Sequence, residues 1–148
     1  MLRKLSMLLT MSFALLPCTS QADGPAVAAS HVLIREAPPG VNVMASYLTL
    51  ENLSGQTLTL VNINSPDFKS VVIHHGVLHD DTDKTQPVAN LSIPAHKNYV
   101  FAPDNDYLML TKPVKPLFDG DLVTLTLTFS DHSSLTIMAP VRRDQPRN

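Results

Sequence analysis

The residues best suited to chemistry in this chain are its histidines, because three of the six fall within seven consecutive positions. These three are His74, His75 and His79, and imidazole is the commonest metal ligand in proteins. Successive side chains of a strand point to opposite faces, so a regular strand would not aim both His74 and His75 at one site. A chance cluster in a polar hairpin is the alternative interpretation. The other histidines are expected in solvated turns or strand ends: His31, His96 and His132.

Motifs of the common enzyme classes are absent from the sequence. It contains no Gly-x-Ser-x-Gly, no glycine-rich phosphate loop and no His-Glu-x-x-His. The acidic cluster of Asp80, Asp81 and Asp83 lacks the glycine and the distal glutamate of a calcium-binding loop, so a solvated hairpin tip explains it better. Since no nucleophile–base pair is recognisable, the sequence favours a binding protein over an enzyme.

The charge and cysteine content exclude further classes of protein. The 148 residues include 11 Lys and Arg against 13 Asp and Glu, a net charge of −2, and no basic run that would attract a nucleic acid. The single cysteine, Cys18, excludes an internal disulfide and a cysteine-rich zinc site. A chain of this length is expected to form one domain.

The first 22 residues are typical of a secretory signal peptide. Arg3 and Lys4 precede an apolar run over residues 5–16, and Ser20 and Ala22 supply small side chains before a cleavage site. The apolar run is too short to span a membrane as a helix. The sequence therefore predicts export, with cleavage after Ala22 and without a membrane span.

Cleavage at that position would leave one domain over residues 23–141 and a polar tail over residues 142–148, neither of which contains a thiol. Lipidation of Cys18 is the alternative form of processing. Pro17 stands where a small residue normally precedes a lipidated cysteine, which favours simple cleavage.

Alternating apolar and polar residues dominate the rest of the chain. The alternation predicts antiparallel strands that bury one face, and no stretch keeps helical spacing. The clearest case is residues 122–129, where leucine, valine and phenylalanine alternate with threonine. Further strands are predicted at 41–50, 57–63 and 135–139, with shorter ones at 31–35, 70–74, 98–101 and 107–111. Many short strands at this spacing predict an all-β sandwich.

Several stretches resemble the PCu(A)C family of periplasmic copper chaperones. Residues 38–40 read Pro-Pro-Gly, and residues 45–52 follow the family's Ala-x-Tyr-Leu-x-Leu-x-Asn pattern. Gln86-Pro87-Val88, the Ile-Pro-Ala at 93–95 and the segment 116–121 are similar to later parts of the family. The resemblance implies a cupredoxin-like antiparallel β-sandwich in the periplasm. It also implies a role in copper homeostasis, supplying Cu(I) to the copper-A centre of cytochrome oxidase through an oxidase-assembly partner.

The family's copper ligands follow a pattern of His, ten residues, Met, twenty-one residues and His-x-Met. Counted from His74, the pattern reaches positions 85, 107 and 109, and Met109 matches it. Thr85 stands at the first methionine position and Tyr107 at the second histidine position. The resemblance therefore implies a degenerate copper site in which His74 and Met109 remain.

The two replacements leave two interpretations open. A threonine hydroxyl is a poor ligand for Cu(I), and a phenol with an ordinary pKa of about 10 stays protonated at neutral pH. In the first interpretation, His75 or His79 completes a metal site that has fewer ligands than the family's but still binds copper, either as Cu(I) or as Cu(II) with water. In the second, the chain is a non-metal periplasmic interaction module that kept the fold. The other methionines of the exported part, Met44 and Met138, are expected to pack inside the sandwich.

Overall fold

A computed structural model describes residues 26–76 and 86–143, and these residues form strands and turns without a helix. The signal peptide, His79, the acidic cluster, Thr85 and most of the polar tail lie outside the described residues. No helix long and apolar enough to cross a membrane occurs in the described ranges. The strands are β1 (Val27–Arg35), β2 (Val43–Asn52), β3 (Leu58–Asn64), β4 (Phe68–His75), β5 (Gln86–Val88), β6 (Leu91–Ile93), β7 (Asn98–Phe101), β8 (Asp106–Pro113), β9 (Leu122–Phe129) and β10 (Ser134–Arg142).

The strands form one strongly curled sheet with two halves. The first half has the order β5-β4-β8-β2-β1. Strand β2 pairs with β8 along its first part and with β7 along its later part. The second half has the order β10-β9-β3-β6. The halves meet where β1 and β10 run parallel, with Ile34 beside Val141, and the other pairings among the described strands are antiparallel. This architecture confirms the predicted all-β, cupredoxin-like sandwich.

The core follows the alternation of the sequence. In β9, Val123, Leu125, Leu127 and Phe129 are buried, while the threonines between them are half-buried on the other face. Opposite this strand, the first half contributes fully buried side chains from β2 and β8: Leu48, Leu50, Leu108 and Leu110. Burial of such a side chain stabilises the fold by roughly 1.5–3 kcal/mol, so the sandwich can stand without disulfides.

The methionines and the isolated histidines test the same alternation. Met44 is buried in the core, as predicted. The prediction for Met138 is wrong, because its side chain is 54% exposed. The inward positions of this part of β10 belong to Ala139 and Val141, so Met138 points outward. The expectation of solvated positions is confirmed for three histidines, which are all exposed: His31, His96 and His132.

Asn52 is a fully buried polar residue that fastens two connections of the sandwich together. Its Nδ2 group donates to the carbonyl oxygens of Gln56, Ile93 and Pro94 at 2.7, 2.9 and 3.1 Å. Its Oδ1 accepts hydrogen bonds from the backbone N–H and the hydroxyl of Ser54. One amide thus closes the β2–β3 turn and holds it against the end of β6.

Replacement of Asn52 by alanine should lower the free energy of unfolding by about 2–4 kcal/mol, because several buried groups lose their partner together. Urea unfolding followed by circular dichroism measures the change. Asn64→Ala, at an exposed position in β3, is the matched control and should stay within about 0.5 kcal/mol of the parent protein. Equal losses in the two variants would contradict the role given to Asn52.

A charged pair closes the junction between β1 and β10. The Nε and Nη2 groups of Arg143 donate to the two carboxylate oxygens of Glu36 at 3.1 and 3.0 Å. The backbone N–H of Asp119 donates to the same carboxylate at 3.0 Å. The hydrogen bond from Arg143 is the main reason why the pKa of Glu36 lies below its ordinary value. The segments that follow β1 and β10, which are far apart in the sequence, are thereby held together beside the parallel pairing of these two strands.

The Glu36–Arg143 pair should stabilise the fold fully above pH 4.5, the ordinary pKa of the carboxyl group, and the contribution should disappear as the pH falls through the lower pKa of the folded state. Arg143→Ala should raise the pKa of Glu36, as measured by an NMR titration of its side-chain carboxyl carbon. Arg142→Ala is the control, because the Arg142 guanidinium lies near Asp119 instead. An unchanged titration in the Arg143 variant would refute the assignment.

Candidate metal site

The pairing of β4 with β8 brings the predicted ligand positions together. Its register sets His74 opposite Tyr107 and Val72 opposite Met109. Residues directly opposite one another in an antiparallel pair project from the same face. The intervening pair, Ile73 and Leu108, points into the core, so His74, Tyr107 and Met109 share the outer face. The ring centroids of His74 and Tyr107 lie 5.9 Å apart, with 32° between the ring planes.

A shallow groove runs along this outer face beside Met109. Its volume is about 260 Å3, and it is bounded by β2, β8 and the segment that follows β1. Ala45 pairs with Met109 across β2 and β8, and its small side chain leaves the thioether room in the groove. Tyr47 and Tyr107 form the wall at the other end. The thioether is therefore accessible from solvent without being fully exposed.

His74 carries a nitrogen that lacks a hydrogen-bond partner. Its Nδ1 atom is buried, and no group in the described part of the chain bonds to it. A buried polar atom without a partner is costly, and in native structures such an atom often binds a ligand or a water molecule or has a functional role. Burial also lowers the pKa of His74, so the ring is neutral at neutral pH. Neutral imidazole is the form that binds metal ions.

Tyr107 replaces the expected second imidazole with a phenol. Its side chain is buried, with 4% exposure, and burial raises its pKa above the ordinary value. The hydroxyl group therefore stays protonated at neutral pH and is a weak partner for a soft ion. The donors gathered on the outer face reduce to one imidazole, from His74, and one thioether, from Met109.

His75 lies on the other side of β4 and has a partner there. Its Nδ1 atom bonds to the carboxylate of Asp106, the residue opposite it in β8. The hydroxyl of Tyr99, in β7, donates to the other oxygen of the same carboxylate. Asp106 is buried, whereas the His75 side chain is 71% exposed. To join His74 and Met109, His75 would have to leave Asp106 and cross the strand.

The part played by Asp106 and Tyr99 was not foreseen from the sequence, although one signal was present. Leu108 and Leu110 alternate inward along β8, so the same parity aims Asp106 into the sandwich. A carboxylate at an inward position needs partners, but alternation alone does not identify them. Among the residues that the structure describes, no group of three or more His, Cys, Asp or Glu side chains is placed to hold a metal ion.

The sequence matches one family and two proteins from bacteria. Residues 27–141 match the family model named LpqE-like, described as "Putative lipoprotein LpqE-like". "Uncharacterized protein RP573" of Rickettsia prowazekii is 30% identical over 139 residues, which cover 88% of this chain and 77% of that protein. "Putative lipoprotein Lxx21020" of Leifsonia xyli subsp. xyli is 28% identical over 123 residues, with coverage of 82% and 72%.

Solved structures share the fold. The solution structure of CuI-DR1885 from Deinococcus radiodurans is 27% identical, with a TM-score of 0.66, and the match covers 84% of this chain and 83% of that one. The copper-bound PCuAC domain from PmoF2 has a TM-score of 0.68 at 21% identity, and the match covers 81% and 95% of the two chains. Both neighbours are described in their copper-bound forms.

Proposed function

Because the chain belongs to the LpqE-like family and to the PCuAC type of domain, as its sequence motifs predicted, we propose that it is a periplasmic copper chaperone or carrier and not an enzyme. The structural neighbours support copper as the cargo, since two of them are described as bound to copper. By family resemblance, the recipient would be the copper-A centre of cytochrome oxidase or a protein that assembles it.

One observation supports the proposal: in the β4–β8 register the side chains of His74 and Met109 lie on one face, and Nδ1 of His74 has no hydrogen-bond partner among the described residues. Neutral imidazole and thioether are ligands that suit Cu(I), and the protonated phenol of Tyr107 adds no charge that would favour a harder ion. Two protein ligands leave the ion open to exchange, as a carrier requires. His79, outside the described residues, remains the candidate for a third ligand at this site.

Titration of the apo protein with Cu(I), against a competing chelator and in the absence of oxygen, tests the proposal. His74→Ala and Met109→Leu should each weaken binding about tenfold or more, which corresponds to about 1.4 kcal/mol or more. The matched controls are His132→Ala and Met138→Leu, which remove an exposed histidine and an exposed methionine. If all four variants bind Cu(I) like the parent protein, the site is assigned wrongly.

Replacing Tyr107 by histidine should tighten Cu(I) binding about tenfold, because it returns an imidazole to the position opposite His74. The same competition titration measures the gain. Tyr107→Phe is the control, since it removes the hydroxyl without adding a ligand and should not tighten binding. A histidine variant that binds no better than the phenylalanine variant would show that position 107 does not face the ion.

A non-metal interaction module is the second candidate. It is favoured by the buried phenol of Tyr107 at a ligand position and by exposed apolar side chains between β8 and β9 and at the start of β9: Val114, Phe118 and Leu122. A ligand that binds only the native state stabilises it by RT ln(1 + L/Kd), where L is the concentration of free ligand, and so raises its thermal midpoint. A midpoint that stays constant at saturating Cu(I) would therefore favour this candidate.

The proposed processing is removal of residues 1–22, which leaves the domain over 23–141 and the tail over 142–148 in the periplasm. The description of the matched family and the name of one relative both contain the word lipoprotein, which gives weight to the alternative at Cys18. The intact mass of the exported protein distinguishes the two. A chain that begins at Asp23 supports cleavage, whereas a lipid-modified chain that begins at Cys18 contradicts it.

A further inference from the structure

Asp106 is a buried carboxylate whose two oxygens are both used by side chains. His75, the last residue of β4, bonds to one oxygen, and Tyr99 of β7 donates to the other. Burial, together with the hydrogen bond to Asp106, raises the pKa of Tyr99, so its hydroxyl remains a donor at any physiological pH. The carboxylate therefore joins three strands, β4, β7 and β8, at one end of the sandwich.

The cluster of Asp106, His75 and Tyr99 lies close to the candidate ligands. The pair His75–Asp106 directly follows the pair His74–Tyr107 in the β4–β8 ladder. β4 ends at His75, and its other neighbour, β5, pairs with only its last three residues. Strand ends open more readily than strand centres. The side-chain bond across the terminal pair His75–Asp106 therefore acts at the end of β4, directly beside the pair His74–Tyr107.

Burial of the Asp106 carboxylate also has a free-energy cost that an end of a sheet with only a structural role would avoid. A carboxylate removed from water is unfavourable unless hydrogen bonds replace its hydration, and an apolar pair could close the sandwich without this cost. The buried Ser46 and Asn52 direct their donor groups to backbone carbonyls, which any fold must satisfy. Asp106 differs because both partners of its carboxylate are side chains and one of them adjoins a candidate ligand.

We propose that Asp106 is a positioning residue of the metal site, which acts through His75 and Tyr99 to hold the end of β4 so that His74 faces Met109. His75 then serves as the donor to Asp106 and not as a ligand. The inference rests on the proposed function, since it concerns copper bound by His74. Asp106, His75 and Tyr99 then support the ligand His74 without binding the ion, a role that the spacing of the ligands does not reveal.

The Cu(I) competition titration on the full chain tests this with two pairs of variants. Asparagine carries an N–H donor at the place of the histidine Nδ1 atom but has no Nε2, so His75→Asn keeps the bond to Asp106 and removes the ring nitrogen exposed to a metal. His75→Asn should retain most of the Cu(I) affinity, whereas His75→Ala should lose roughly tenfold, the low end of the effect of outer-shell partners. Asp106→Ala should lose a similar factor, and Asp106→Asn should restore much of it.

A spectroscopic readout separates positioning from general stability. In the parent protein, the hydrogen bond to Asp106 should keep a proton on Nδ1 of His75, and the ¹⁵N shifts of the imidazole report which nitrogen carries it. Asp106→Ala should move the proton to Nε2. Asp104→Ala, at an exposed turn position two residues away, is the control and should change neither the tautomer nor the affinity. Should the Asp106 variants fail to fold, Tyr99→Phe removes one donor alone and should still weaken Cu(I) binding severalfold.

The outcomes are distinguishable from failure of the copper proposal itself. If His74→Ala does not weaken binding, the proposed function fails. If His74→Ala weakens binding but Asp106→Ala, or Tyr99→Phe in its place, behaves like Asp104→Ala, only the positioning role is overturned. If His75→Asn loses as much affinity as His75→Ala, His75 is a ligand and the positioning role is likewise overturned.

Discussion

The register between β4 and β8 is the constraint on which the candidate site and this end of the core both depend. Because side chains alternate along a strand, a slip of one residue would exchange the two faces completely. His74 would then turn toward the core, and Ile73 would turn toward solvent. The face on which the candidate ligands lie is therefore fixed by the same buried side chains that stabilise the sandwich: Val71, Ile73, Leu108 and Leu110.

The chemistry of the outer face follows from what this register presents there. A phenol in place of an imidazole leaves one nitrogen and one sulfur donor, and burial of Tyr107 keeps its hydroxyl protonated. The ring of His74 is neutral, and no internal hydrogen bond from the described residues occupies its Nδ1 atom. One imidazole and one thioether suit a soft ion better than a hard one.

Most of the fold could be predicted because alternation is a local signal. The threonine-rich strand at 122–129 buries the four side chains that its pattern indicated. Met138 shows where such a prediction fails: the residue lies in a strand with weaker alternation, so its face depends on how β10 pairs with β9 and β1. The parallel contact between β1 and β10 joins residues more than a hundred positions apart, and no local pattern indicates it.

At the candidate site, the sequence by itself determined which residues stand at the family spacing: His74 and Met109 match it, and Tyr107 replaces an imidazole. Only the tertiary structure decided which of these side chains share a face. It separates His75 from His74 by the thickness of a strand, and it joins His75 and Tyr99 through Asp106, whose inward direction was readable but whose partners were not. The physical reason is that a residue's face is set by local alternation, whereas its contacts across a sheet are set by long-range register.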